Sequence, residues 1–150
     1  MRLPVPLSAH LALLLALPFL ASAAPPETGS VVVSVSGMRS AKGQVLACLT
    51  TQAKGFPDCR RDSAARKLAV TANGIVTFRF AALPPGRYAV ALLHDENANG
   101  KADMTLMIPR EGFGFSRDAA MRMGPPKFAA AAFVVEGAAV TMPVRMRYIF

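Results

Sequence analysis

The run His94-Asp95-Glu96-Asn97-Ala98-Asn99-Gly100-Lys101-Ala102-Asp103 gathers oxygen-bearing side chains around one glycine. Asp95, Asn97 and Asn99 alternate, Gly100 follows, and Asp103 comes three residues later. Alternation turns every second side-chain oxygen toward the inside of a loop, and the glycine permits a sharp bend. The pattern D-x-N-x-N-G-x-x-D coincides with positions 1, 3, 5, 6 and 9 of an EF-hand-type calcium loop, whose position 7 contributes a backbone carbonyl. Here that carbonyl belongs to Lys101. Position 12 is Leu106 rather than glutamate, so the usual bidentate carboxylate is missing. Glu111 or water would complete the shell. The expected ligand set is therefore Asp95, Asn97, Asn99, Lys101 through its carbonyl, Asp103 and Glu111. So few carboxylates imply a dissociation constant of ~10⁻⁴–10⁻³ M. The same residues also suit an Asx turn built for local reasons, and a purely structural turn stands as the alternative.

Charge supports a cation. Lys and Arg number 17 against 9 Asp and Glu, yet Asp95, Glu96, Asp103 and Glu111 all fall within one short stretch. Crowding acids costs self-repulsion unless something positive neutralises them. Catalysis finds less support. His94, at a strand end, reads as a hydrogen-bonding structural residue. Asp95 and Glu96 are adjacent, so on a strand they face opposite ways and do not form an acid/base pair. No serine sits in a nucleophile motif, no glycine loop is spaced for phosphate, and no zinc spacing exists. A non-enzymatic protein is expected.

Residues 1–23 have the layout of a secretory signal peptide: Arg2 near the front, an apolar run interrupted by Pro18, and Ala21-Ser22-Ala23 as the cleavage site. The run is too short and broken for a transmembrane helix. Export to the periplasm or medium follows, with no membrane-spanning segment in the mature chain. Loss of Arg2 would lower the formal charge from +8 by one. The remaining bases are mostly scattered and aromatics do not interleave with them, which argues against a specific nucleic-acid partner. A solvated basic surface is expected. A cell-envelope polyanion or protein, met through Arg79, Arg145 and Arg147, is the alternative. In an exported chain the even pair Cys48 and Cys59 reads as a disulfide, stabilising by ~2–4 kcal/mol.

The elements that must hold the loop are short strands. Residues 24–30 read as a flexible leader and 31–150 as one domain. Val31, Val33 and Val35 alternate with Ser34 and Ser36, and residues 43–50 form a second apolar run; together they read as a hairpin. Asn73-Gly74 is a tight-turn signal between two extended runs. Residues 87–94 are apolar on both faces, as a strand covered on both sides would be. The stretch 105–128 looks long, glycine-rich and irregular, with residues 119–123 able to form one helical turn. Residues 128–137 and 138–150 close the chain, the latter with Val140, Met142, Val144, Met146 and Tyr148 inward and with Pro143 suiting an edge. About seven strands and no long helix predict an all-β fold, a single antiparallel β-sandwich of immunoglobulin-like or transthyretin-like type.

Linked motifs carry a resemblance. LPPGRYAVALLHDENANGKAD, then IPREGFGFS and GPPKFAAAAF, is similar to the bacterial domain of unknown function 2141 family, from about Val31 to the C-terminus. The resemblance implies an exported β-sandwich and supplies no substrate. It matches His94, Asp95, Asn97, Asn99, Gly100 and Asp103 to the family's loop, and Glu111, Gly112, Gly114, Phe115 and Ser116 to a second motif. Read jointly, the two motifs are expected to fold together, with Glu111 returning toward the loop and with Phe113 and Phe115 as anchors.

Overall fold

The computed structural model describes residues 27–106 and 108–149. The expected signal peptide lies outside the described residues. Ten strands form in chain order: β1 (Gly29–Ser36), β2 (Gln44–Thr50), β3 (Arg66–Thr71), β4 (Thr77–Leu83), β5 (Gly86–Asp95), β6 (Met104–Thr105), β7 (Ile108–Pro109), β8 (Gly112–Phe115), β9 (Phe133–Val135) and β10 (Ala139–Arg145). They make a three-stranded sheet in the order β10-β1-β4, and a five-stranded sheet in the order β3-β2-β5-β8 with β9 also on β5. The small β6–β7 pair stands apart from both. The all-β sandwich architecture is as expected. One pairing, β1 with β10, is parallel rather than antiparallel, because the first and last strands meet side by side in the smaller sheet.

The inward alternation works as the sequence implies. Val31 and Val33 from β1, Phe78 and Phe80 from β4, Tyr88, Val90 and Leu92 from β5, and Met142 and Val144 from β10 share one core. Each fully buried side chain of this size contributes about 1.5–3 kcal/mol relative to exposure. β5 is buried on its other face too, where Ala89 and Ala91 meet Phe113, Phe115 and Ala131, flanked by Phe56 and Phe128.

Several expectations change. β1 and β2 are not a hairpin: they lie in different sheets, and the 37–43 connection crosses between them. The Asn73-Gly74 turn likewise joins β3 to β4 across the sandwich rather than within one sheet. Turn chemistry fixes a reversal of direction but not whether the returning strand pairs or packs. Residues 119–123 form no helix; helical turns occur at Ser116–Asp118 and Phe128–Ala131 instead. The run 128–137 is therefore a helical turn followed by a three-residue strand. β1 also takes in Gly29 and Ser30, two residues of the expected leader.

Two hydroxyl groups explain parts of the linked motifs. Tyr88 Oη donates to the Pro84 carbonyl at 2.8 Å and so locks the Pro-Pro-Gly turn ahead of β5. β5 pairs with β9 through Gly86–Tyr88 and with β8 from Ala91 onward. Val90 falls in the gap, and its N–H donates to Ser116 Oγ at 2.9 Å. Ser116, fully buried, donates in turn to the Ala131 carbonyl at 2.6 Å. A single serine thus closes a hole in the hydrogen-bond ladder, which a buried N–H requires.

At the other end of β2, Cys48 and Cys59 form the expected disulfide, with Cα atoms 6.3 Å apart. Beside it Asp62 accepts from Thr50 Oγ1 at 2.5 Å, from Gln52 Nε2 at 3.1 Å and from Ala64 N at 2.9 Å. These bonds hold its carboxyl below the usual range, the Thr50 hydroxyl most of all. Replacing both cysteines by serine should cost about 3 kcal/mol for a loop of this length. Urea unfolding of the double variant checks this, and a loss below about 1 kcal/mol would mean that hydrogen bonds alone hold the loop.

Candidate cation site beyond the fifth strand

β5 ends at Asp95, and the 96–103 loop begins there. Asp95 is fully buried. Its carboxylate accepts from Gln44 Nε2 at 2.9 Å, from Asn99 N at 3.0 Å and from Gly100 N at 2.8 Å. The loop bends back through left-handed conformations at Ala98 and Gly100. Asn97 Oδ1 accepts from Asn99 N at 3.1 Å, and Asn99 Oδ1 accepts from Lys101 N at 3.0 Å. These are successive Asx turns, the local chemistry expected of this composition.

Asp103 faces the amides. Asn97 Nδ2 donates to it at 2.6 Å and Asn99 Nδ2 at 3.0 Å, and these bonds hold its carboxyl below the usual range. Glu111 comes back to the loop: its Oε2 accepts from Asp103 N at 3.1 Å. Glu111 is only 4% exposed. Burial pushes its carboxyl up, and the charges of Asp95 and Asp103 push the same way against the backbone N–H groups of Asp103 and Glu96. The charges of Asp95 and Asp103 thus both reach Glu111. The structure brings together Asp95, Asn97, Asn99, Asp103 and Glu111, and leaves Lys101 exposed on the rim. Among the described residues, no three His, Cys, Asp or Glu side chains are set to hold a metal by themselves. The oxygens that face the loop include amide and backbone groups as well.

A neighbouring network holds this end in place. Glu96 turns away from Asp95, as adjacent strand residues should. It bonds Arg39 Nη2 at 2.5 Å and Ser40 Oγ at 2.6 Å, and Arg39 chiefly draws its carboxyl below the usual range. Arg39 also donates to the Arg110 carbonyl at 3.0 Å and lies over the Tyr148 ring at 4.5 Å. His94 is fully buried. Its Nε2 lies 2.9 Å from the Lys42 carbonyl and its Nδ1 2.6 Å from Tyr148 Oη. A carbonyl only accepts, so Nε2 carries the proton and the Tyr148 hydroxyl donates to Nδ1. His94 is a structural tie between β5 and the C-terminal tail, as its position suggested. Arg39, Glu96, Asn97, Asp103, Arg110 and Glu111 line a shallow cleft of about 260 Å³.

Two glycines of the second motif have a shared cause. β8 was missed in the sequence because Gly112 and Gly114 break the apolar alternation, yet all four of its residues are buried. After Met146, whose N–H donates to the Ser36 carbonyl at 2.7 Å, the chain leaves β1, and Arg147 and Phe113 exchange two backbone bonds at 3.0 and 2.8 Å. The tail thereby sews the small sheet to the large one. A Cβ on Gly114 would lie 2.7 Å from Val144 Cγ1, and one on Gly112 would lie 2.3 Å from Tyr148 Cε1. The alternation placed Tyr148 on the inward face but gave it no role at this site, and Arg39 read as a scattered base; their distance in sequence from the loop hid the contact.

The alternative basic face is less coherent. Arg79 and Arg145 are exposed on the smaller sheet, while Arg147 is ion-paired with Asp118. Among the described residues no helix is long and apolar enough to cross a membrane. No curated protein and no solved structure matches the chain. The sequence model of a family described as an uncharacterized protein conserved in bacteria, domain of unknown function 2141, does match, over residues 33–143. That span holds β2 to β9, half of β1, most of β10, the loop and the glycine motif, and the chain belongs to this family.

Proposed function

We propose that the protein is an exported, non-enzymatic β-sandwich whose 95–103 loop, with Glu111, binds calcium as a structural cation. The observation that supports this reading is the return of Glu111 to the loop, beside Asp103 and within reach of the charge of Asp95. The donor chemistry fits a hard cation, since every candidate atom is oxygen. Asp95, Asp103 and Glu111 would supply charge, and Asn97, Asn99 and the Lys101 carbonyl would supply neutral oxygens. Asp95 Oδ1, Asn97 Oδ1, Asn99 Oδ1 and Asp103 Oδ1 each accept one hydrogen bond and keep a second lone pair. Bound calcium would remove the repulsion among the three carboxylates and tie the loop to the start of β8.

Thermal unfolding with chelator and then with millimolar calcium tests this. Calcium at about ten times its dissociation constant should stabilise by about 1.4 kcal/mol. The midpoint should rise by several degrees, and Asp95→Ala/Asp103→Ala should not respond. Glu111→Gln gives the sign of the pH effect. The folded state holds the Glu111 proton more tightly than the unfolded chain does. Without calcium, its contribution to stability is therefore lost as pH rises through its raised titration and recovered at lower pH. The glutamine keeps the acceptor but not the charge. In chelator near neutral pH it should raise the midpoint, and with calcium it should shrink the response. Absence of any calcium shift in the wild type would leave the loop a structural turn.

A further inference from the structure

The same end of the sandwich carries an unusual surface. The register places Thr71 and Asp95 beside Gln44, Thr77 beside Ser34, Gly112 beside His94, and Arg145 beside Ser36. The 37–43 connection, the β3–β4 corner, the 96–111 segment and the C-terminal tail therefore all lie at one end. Of the eight exposed large apolar side chains among the described residues, five are here: Ile75 is 93% exposed, Met104 54%, Leu106 90%, Ile108 36% and Ile149 47%. They come from three separate segments. Exposed apolar groups gathered in one region mark an interaction surface, whereas scattered ones do not.

The β6–β7 hairpin is its most exposed part. Its strands pair only with each other, and Arg110 N donates to the Asp103 carbonyl at 3.0 Å to close its base. The hairpin thus extends past the ends of β5 and β8. Leu106, in its turn, has φ 49°, a left-handed conformation that disfavours a leucine. A leucine that breaks turn chemistry and also stands in water violates two local rules at once, as residues kept for function do.

Charge selects the occupant. Of the acids at this end, Asp95 and Glu111 are buried and Glu96 is paired with Arg39, while Asp103, bonded by the neutral amides of Asn97 and Asn99, keeps its charge and is only half-exposed. Lys42, Lys101 and Arg110 are exposed among the apolar tips. Apolar tips with exposed bases at the same end suit a bilayer interface, where the tips enter the boundary region and the bases meet anionic headgroups.

We propose that this end of the sandwich docks on an anionic lipid surface, with Leu106 and Ile108 entering the interface and Lys42, Lys101 and Arg110 contacting headgroups. The inference does not depend on calcium. Residues 24–150 contain every strand among the described residues and omit the apolar N-terminal run, which would itself bind lipid. That chain, in chelator, should sediment with vesicles of phosphatidylglycerol and phosphatidylethanolamine, less so at high salt, and little with pure phosphatidylcholine. Leu106→Asn relieves the left-handed strain and removes the apolar tip, and should weaken partitioning about tenfold. Leu68→Asn, at an exposed leucine within β3, should leave it unchanged. Failure to bind anionic vesicles would overturn the proposal, as would binding indifferent to Leu106→Asn, which is plain adsorption of a basic surface. Self-association lost on Leu106→Asn without any vesicle binding would overturn it in favour of a protein interface.

Discussion

Gly112→Ala should destabilise the protein by roughly 3–5 kcal/mol, a large part of the ~5–15 kcal/mol available to a domain of this size. The new Cβ would lie 2.3 Å from Cε1 and 2.5 Å from Cζ of Tyr148. The ring must move, and overpacking of this kind costs about 1–3 kcal/mol. Moving it also takes the hydroxyl from His94 Nδ1, and a buried polar atom left without its partner costs about 1–3 kcal/mol more. Tyr148→Phe separates the two parts, since it keeps the ring and removes only the hydroxyl. Its cost should be about 1–2 kcal/mol. The decisive check is a double-mutant cycle by urea unfolding. In a Tyr148→Ala background, Gly112→Ala should cost far less than in the wild type, because the clash has gone. Additive effects would show that the glycine serves some other contact.

The second large effect is expected at Gly43→Ala, at more than about 3 kcal/mol. Gly43 has φ +67°, and a Cβ there would stand 2.0 Å from the Asp95 carbonyl oxygen and 2.7 Å from the Glu96 carbonyl carbon. The left-handed conformation alone costs a residue with a Cβ about 1–2 kcal/mol. The rest comes from a clash with backbone, which cannot rotate away as a side chain can. Gly100 makes the useful contrast. It has φ +80° but nothing within 4 Å of a Cβ. Gly100→Ala should therefore cost only about 1–2 kcal/mol, although it is the glycine of the loop motif. Gly43→Ala should also abolish any calcium response, because the displaced residues open the loop. If Gly43→Ala proved milder than Gly100→Ala, the approach of the 37–43 connection to Asp95 would be wrong.

The loop itself was legible because its chemistry is local. Asx turns at Asp95, Asn97 and Asn99 need only neighbours a few residues away, and the composition announces them. The return of Glu111 was expected only as one way to complete the shell, with water as the other; the 104–110 excursion through β6 and β7 leaves no trace in spacing. β8 was hidden for a physical reason. A strand normally advertises itself by alternating apolar side chains, and Gly112 and Gly114 have none because β10 and the tail occupy that space. Ser116 was likewise a motif residue without a reason until the gap in the β5 ladder supplied one.

What the sequence determined by itself was everything that depends on period, turn residues and composition: an all-β chain, the inward faces of β1 and β10, the double burial of β5, the disulfide partners and the oxygen-rich loop. Only the tertiary structure decided which strands share a sheet. A turn sets the direction in which a chain returns, but pairing and packing both satisfy an apolar face. The choice between them rests on which backbone edges remain open across the whole fold. For that reason β1 left β2 for β10, and the tail came to lie on Gly112, His94 and Arg39. There it connects the candidate cation loop to the end of the chain more than 40 residues away.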